Sequence, residues 1–186
     1  APCFMEAHCL IAAMKAGLAL GNAQNDFAGN WGTKGCYYYE AGSAFFGRGG
    51  TEAEMSAPTS GNQIRLPCLA DGHGFYGGTG TANLNCNQIC YQAGQGCDGG
   101  AQFHTYDWWQ YVDDTLKQSE LFKAMGYTFN QYTIAATDTF KYELSNGRPR
   151  YPNNDNRVYS CTDKSTLFEN VCWCADPIGV PPPSPS

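Results

Sequence analysis

The sequence predicts an α+β fold, disulfide-rich, made of two small helix-plus-antiparallel-sheet modules. Three observations lead there. Ten cysteines in 186 residues is an even and dense set, as expected of a small stapled scaffold. Two Cys-bearing segments with helical spacing each stop at an Ala-Gly pair, Ala16-Gly17 and Ala93-Gly94, and run into a short strand. Aromatics make up 14% of the chain and glycine 22 residues, whereas charged residues reach only 15%, a composition for packed, turn-rich structure.

The first helix is expected over residues 4–16. Phe4, Cys9, Ala12, Ala13 and Ala16 share a face that Leu10, Ile11 and Met14 widen. Gly17 ends it, and Leu18-Ala19-Leu20 reads as a strand. In residues 27–51, Tyr37-Tyr38-Tyr39 and Phe45-Phe46 flank the small turn Ala41-Gly42-Ser43, which predicts a β-hairpin. A strand over 63–66 closes this half at Pro67-Cys68. Residues 71–81, DGHGFYGGTGT, read as a Gly-rich loop between modules. A second helix over 82–93 carries Cys86 and Cys90, and Cys97 follows on a strand. Residues 107–125 predict a third helix, 129–144 one or two strands, and 145–156 a long surface loop. Residues 177–186, rich in Pro and Ser, predict an extended polyproline tail. The expected organisation is therefore 1–70, a loop at 71–81, a second module over 82–176, and the tail. The like openings of the two halves hint at related modules in tandem.

The cysteines also set the compartment. In an oxidising space Cys3, Cys9, Cys36, Cys68, Cys86, Cys90, Cys97, Cys161, Cys172 and Cys174 become five staples with no free thiol, each worth about 2–4 kcal/mol. Cys86 and Cys90 lie four apart on one helical face, so each is expected to bond one of Cys161, Cys172 and Cys174. Cys172 and Cys174 share a strand face and can receive two bonds from one helix. Neither close pair has C-x-x-C spacing, which counts against zinc. A net charge of −6 counts against nucleic acid as a partner. No apolar run approaches the roughly 20 residues of a membrane span. The expected setting is extracellular, secreted or at the cell surface, with Ala1 as a mature N-terminus left by cleavage.

The run CNQIC, a Gly-bounded Cys97, KAMGY, a Pro-containing loop, Cys161 and CWC resembles the PAN/apple-like modules of secreted and cell-surface proteins, over Cys86 to Cys174. That resemblance implies a helix cradled by a sheet and bonded to it, and a role in adhesion or in recognising glycans or proteins. The first half, with AGNWGTKGCYYYEAG and FFGRGGT, resembles a repeated extracellular module of uncharacterised microalgal proteins, which implies a secreted setting and no particular activity. The tail is similar to the oligoproline tracts of hydroxyproline-rich wall glycoproteins, where prolines are hydroxylated and carry short glycans.

No catalytic signature emerges. His8, His73 and His104 are scattered and no H-E-x-x-H occurs. Asp107, Asp113, Asp114 and Glu120 lie among aromatics, as in a sugar cleft, but an Asp-Asp pair is more ordinarily a solvated helix face. No G-x-S-x-G or phosphate loop is present. Asn153, Asn154, Asp155 and Asn156 offer oxygens for calcium with a single carboxylate, so a turn is the simpler reading. No asparagine begins an N-x-Ser/Thr sequon, which leaves O-linked sites such as Thr79, Thr81 or the tail. No metal or cofactor is expected.

Stacking by Tyr37, Tyr39, Trp108, Trp109 and Tyr111 on a sugar or a partner is the best chemistry on offer, although alternate members of each run must face the core. The leading expectation is a non-enzymatic structural or adhesive subunit of an extracellular glycoprotein assembly such as a filament, wall or matrix. Its partners would be copies of itself or other glycoproteins, joined through Pro181, Pro182, Pro183, Ser184, Pro185 and Ser186 by O-glycosylation or docking. The alternatives are a carbohydrate-binding PAN/apple-like module and, behind it, a glycan hydrolase.

Overall fold

The computed structural model describes residues 2–69, 73–135, 137, 139–152 and 157–175. The turn expected at 153–156 and the Pro-rich tail lie outside the described residues. The chain divides into two compact units, Ala1–Ala70 and Asp71–Ser186. Among the described residues, no helix is long and apolar enough to cross a membrane.

In the first unit, α1 (Glu6–Lys15) buries Cys9, Leu10, Ile11 and Ala13 and ends at Ala16, with Gly17 in the left-handed region at φ 71°. The strands are β1 (Ala19–Leu20), β2 (Ala28–Gly29), β3 (Gly35–Tyr39), β4 (Ser43–Gly47) and β5 (Gln63–Arg65). Their order is β1-β4-β3-β5, with β2 also on β4. The aromatic hairpin forms as expected, with Tyr37 opposite Phe45. A short helix α2 (Glu52–Ser56) precedes β5, fixed by a capping box in which Thr51 accepts from the Glu54 amide while the Glu54 carboxylate accepts from the Thr51 amide. The T-E-A-E run at 51–54 carries that signature, which the reading of this stretch as the end of the hairpin passed over. Cys9 bonds Cys36, pinning α1 to β3, and Cys3 bonds Cys68.

The second unit contains β6 (Gly74–Gly77), α3 (Cys86–Gln92), β7 (Gly96–Cys97), two 3-10 turns at Phe103–Thr105 and Trp109–Tyr111, and α4 (Thr115–Ala124). Four further strands follow: β8 (Thr133–Ala135), β9 (Phe140–Glu143), β10 (Arg148–Pro152) and β11 (Phe168–Ala175). The sheet order is β6-β11-β9-β10-β8, with β7 also on β11. The bonds Cys86–Cys172, Cys90–Cys174 and Cys97–Cys161 resolve the choices that spacing left open, and there is no free cysteine. Because neighbours on a strand point to opposite faces, Cys172 and Cys174 meet α3 while Val171 and Trp173 face the other way. There Trp173 joins Phe75, Trp108 and Phe140 in a cluster that Phe103 and Trp109 extend. Burial on both faces accounts for the apolar run Val171–Cys174 of β11, whose buried Glu169 and Asn170 accept from the Tyr127 and Thr139 hydroxyls.

Four expectations need correction. Both sheets are mixed, since β1 and β2 run parallel to β4, and β8 runs parallel to β10. The loop expected at 71–81 contains β6, held by Phe75, fully buried opposite Trp173, while Gly77 and Gly78 adopt φ of 111° and 97° to turn the chain away. The helix expected over 107–125 begins only at Thr115, because the Asp114 carboxylate caps it by accepting from the Lys117 amide at 2.8 Å. The surface loop expected over 145–156 contains β10, whose Tyr151 is fully buried and packs on Phe122 of α4. Glycine and proline marked turns correctly but hid short strands anchored by one buried aromatic each.

The staples should behave as independent restraints on unfolding. Non-reducing peptide mapping should recover the five pairings. Replacing Cys90 and Cys174 together by Ala should cost about 2–5 kcal/mol in guanidinium unfolding.

On β9, Glu143 is almost buried between Arg148 and Arg150, at 3.5 and 3.2 Å. The hydrogen bond from Arg150 is the main cause that holds its carboxyl down at about 2, below its ordinary value of 4.5. A carboxyl depressed in the folded state stabilises above its unfolded pKa, and that contribution is lost as pH falls toward about 2. Glu143→Gln should therefore lower the melting temperature at pH 6 and flatten its dependence on pH below about 4.5, as read by thermal melts across that window.

Candidate functional site

The sheet of the first unit has unlike faces. Cys36 and its β4 partner Phe46 lie toward α1, as the Cys9–Cys36 bond requires. By alternation Tyr37, Tyr39 and Phe45 occupy the opposite face. There they adjoin a groove of about 500 Å³, within the roughly 300–1,000 Å³ range of small-molecule sites.

The floor is aromatic. Tyr37 stacks on Phe45 with ring centroids 5.8 Å apart, and Tyr39 meets both edge-on at 6.0 and 5.7 Å. Tyr37 and Phe45 are 4% and 3% exposed, so they support the floor, while Tyr39 is only half-buried. Burial, with the neighbouring Tyr39, pushes the Tyr37 phenol up to about 12, so it stays neutral at any ordinary pH. The indole of Trp31, also half-buried, forms part of the wall. A Cβ on Gly29 would lie 2.6 Å from Trp31 Cζ2, so the ring rests directly on the β2 backbone, and only glycine permits that approach.

The remaining lining is polar without charge: Asn22, Asn25, Asn62 and Gln63 supply amides, and Thr33 and Ser43 supply hydroxyls. Asn22 closes its own turn, its Oδ1 accepting from the amides of Gln24 and Asn25 at 3.0 and 2.9 Å. Across the sheet edge, Thr33 donates to Gln63 Oε1 at 2.5 Å, and Gln63 Nε2 donates to the Tyr39 hydroxyl at 2.8 Å. Aromatic surface beside ordered amides and hydroxyls, with no Asp, Glu, Lys or Arg in the lining, equips the groove to hold a neutral, hydroxyl-rich molecule.

Of the five expected stacking residues, the structure gathers Tyr37 and Tyr39 here. The other three lie in the second unit. Trp108 and Trp109, at 4% and 9% exposed, are core residues and present no open ring face, whereas Tyr111 is half-buried at the second 3-10 turn. The acidic candidates serve local structure: Asp113 pairs with Lys117 at 2.7 Å, and Asp114 caps α4. Glu120 lies 3.4 Å from Lys123. Among the described residues, no cluster of His, Cys, Asp and Glu is arranged to hold a metal ion. Sequence reasoning missed Trp31, Phe45 and the amides. The signal for Trp31 was its place in G-N-W-G, a large apolar residue in a turn too glycine-rich to be a core strand.

Gly29→Ala should force Trp31 off the β2 backbone, at a cost of about 1–3 kcal/mol and with greater quenching of tryptophan fluorescence by acrylamide. Gly32→Ala is the control, because a Cβ there meets nothing within 4 Å, and it should leave both readings unchanged. No family model, curated protein or solved structure matches this chain, so geometry and chemistry alone describe the groove.

Proposed function

We propose that this chain is a secreted, non-enzymatic adhesive protein that binds glycans through the groove of its first unit. The observation that carries the reading is the pairing of Trp31 and Tyr39 with an uncharged rim of amides and hydroxyls. The C–H faces of a sugar ring are slightly positive and apolar, and they suit the negative face of an aromatic ring. Sugar hydroxyls both donate and accept, which matches side-chain amides that do the same. Five disulfides support the extracellular setting, where glycans are abundant.

The purely structural reading drew on the staples, the excess aromatics, the low charge and the Pro/Ser tail, and the tail lies outside the described residues. The groove supports carbohydrate binding over that reading, and a subunit that grips glycans would serve adhesion within a wall or matrix equally well. In the second unit α3 is bonded twice to β11, which is compatible with the helix on a sheet that the PAN/apple-like resemblance implies. Its tryptophans Trp108, Trp109 and Trp173 are spent on its own core, so the proposed binding activity belongs to the first unit.

A glycan array probed with the full chain tests the reading. Saturable binding to defined saccharides is expected, with Trp31→Ala reducing it at least tenfold and Trp31→Phe retaining part of it. A chain that binds no saccharide, or a Trp31→Ala variant that binds as well as the parent, would remove the basis for the proposal.

A further inference from the structure

Resting on that glycan-binding reading, we infer that the groove selects neutral saccharides over acidic ones and anchors them by a hydrogen bond donated from the Tyr39 hydroxyl. Two independent observations lead there.

The first is electrostatic. None of the groove-lining side chains is charged. A uronate or sulfate ester placed in the groove would lose hydration without gaining a cationic partner. A neutral sugar does not incur that cost.

The second is the direction of the hydrogen-bond chain. Thr33 gives its proton to Gln63 Oε1, and Gln63 Nε2 gives one to the Tyr39 oxygen. The phenol oxygen is therefore already an acceptor, and its own hydrogen is left for a further partner. Tyr39 belongs to the groove lining and is half-buried, which places that donor beside the ligand space with its ring already packed edge-on against Phe45. A donor held in place in advance costs little ordering when a ligand arrives. Its natural acceptor is a hydroxyl, ring or glycosidic oxygen of the sugar. Gln63 and Thr33 are positioning residues in this scheme, because they set which way the phenol points.

Titration calorimetry of the full chain tests both parts with two probe sets of equal length. The neutral set is cello-, manno- and xylo-oligosaccharides, and the acidic set is oligogalacturonides and sulfated galactan oligosaccharides. At least one neutral probe should bind, and the acidic probes should bind at least tenfold more weakly, with the difference persisting in 0.5 M salt because much of it comes from lost hydration. Tyr39→Phe keeps the ring and removes the donor, and it should weaken the neutral probe roughly tenfold with an unchanged thermal melt. Gln63→Glu keeps Tyr39 but turns its hydrogen back onto the new carboxylate, and it should weaken binding by a similar factor. Acidic probes that bind as tightly as neutral ones would overturn the inference, as would Tyr39→Phe binding like the parent. Loss with Thr33→Val but not with Tyr39→Phe would also overturn it, since the chain of donors would then run the other way. In each of those cases a Trp31→Ala variant that still loses binding leaves the glycan-binding reading standing. If no probe of either set binds, both fall together.

Discussion

Alternation of side chains along a strand is the constraint on which both units depend. A cysteine on one face of a strand fixes a helix there and frees the adjacent residue to point away. In the first unit Cys36 holds α1, and Tyr37 beside it faces the groove. In the second unit Cys172 and Cys174 hold α3, and Trp173 between them faces the aromatic core. The covalent bond does work that a large apolar helix face would otherwise do, so short helices suffice. α3 is only 7 residues long and buries Cys86, Ile89 and Cys90. A helix so short is marginal without tertiary support.

What the freed face does differs between the units. In the second it is covered by the 3-10 turns and α4, and its aromatics pack into a closed cluster with Trp108 stacked on Trp173 at 5.6 Å. In the first, α2 meets the Tyr37 and Phe45 side only where Met55 lies against Gly35 and Arg65 donates to the Glu54 carbonyl. The loop carrying Trp31 borders the rest, and no residue of α2 lines the groove. The same device therefore yields a core in one unit and an open aromatic groove in the other. The polar rim is what keeps an aromatic surface of that kind from being an aggregation hazard, because amides and hydroxyls break up the apolar area.

Much of this architecture was legible in the chain. The i, i+4 spacing of Cys86 and Cys90 and the i, i+2 spacing of Cys172 and Cys174 contain the helix-to-strand stapling directly. The hairpin followed from two aromatic runs around a small turn. What stayed hidden has physical causes. β6 and β10 lie in Gly- and Pro-marked stretches whose strand character comes from Phe75 and Tyr151, each fixed by partners distant in sequence. The parallel pairings of β1, β2 and β8 depend on where the chain returns, which local pattern does not encode. The groove was half visible. Tyr37 and Tyr39 announced an aromatic face, but its amides come from Asn22, Asn25, Asn62 and Gln63, residues whose types signal turns and nothing more until the fold assembles them. Trp108 and Trp109 misled for the opposite reason, since adjacent tryptophans look available until 3-10 geometry turns both inward.

β11 comes last among the described strands, yet it lies inside its sheet, with β6 on one flank and β9 on the other. The bonds it makes join residues 86 and 84 positions apart. During synthesis the rest of the second unit therefore emerges with a gap where an interior strand of its sheet belongs. Cys86 and Cys90 wait as thiols within reach of Cys97, and then of Cys161, before their native partners exist. Contacts this distant in sequence are slow to form. The interval before they close is when exposed strand edges and wrong disulfides do most harm. A unit built this way suits a compartment that supplies catalysts of disulfide exchange as well as an oxidant, and its maturation is governed by the arrival of one strand.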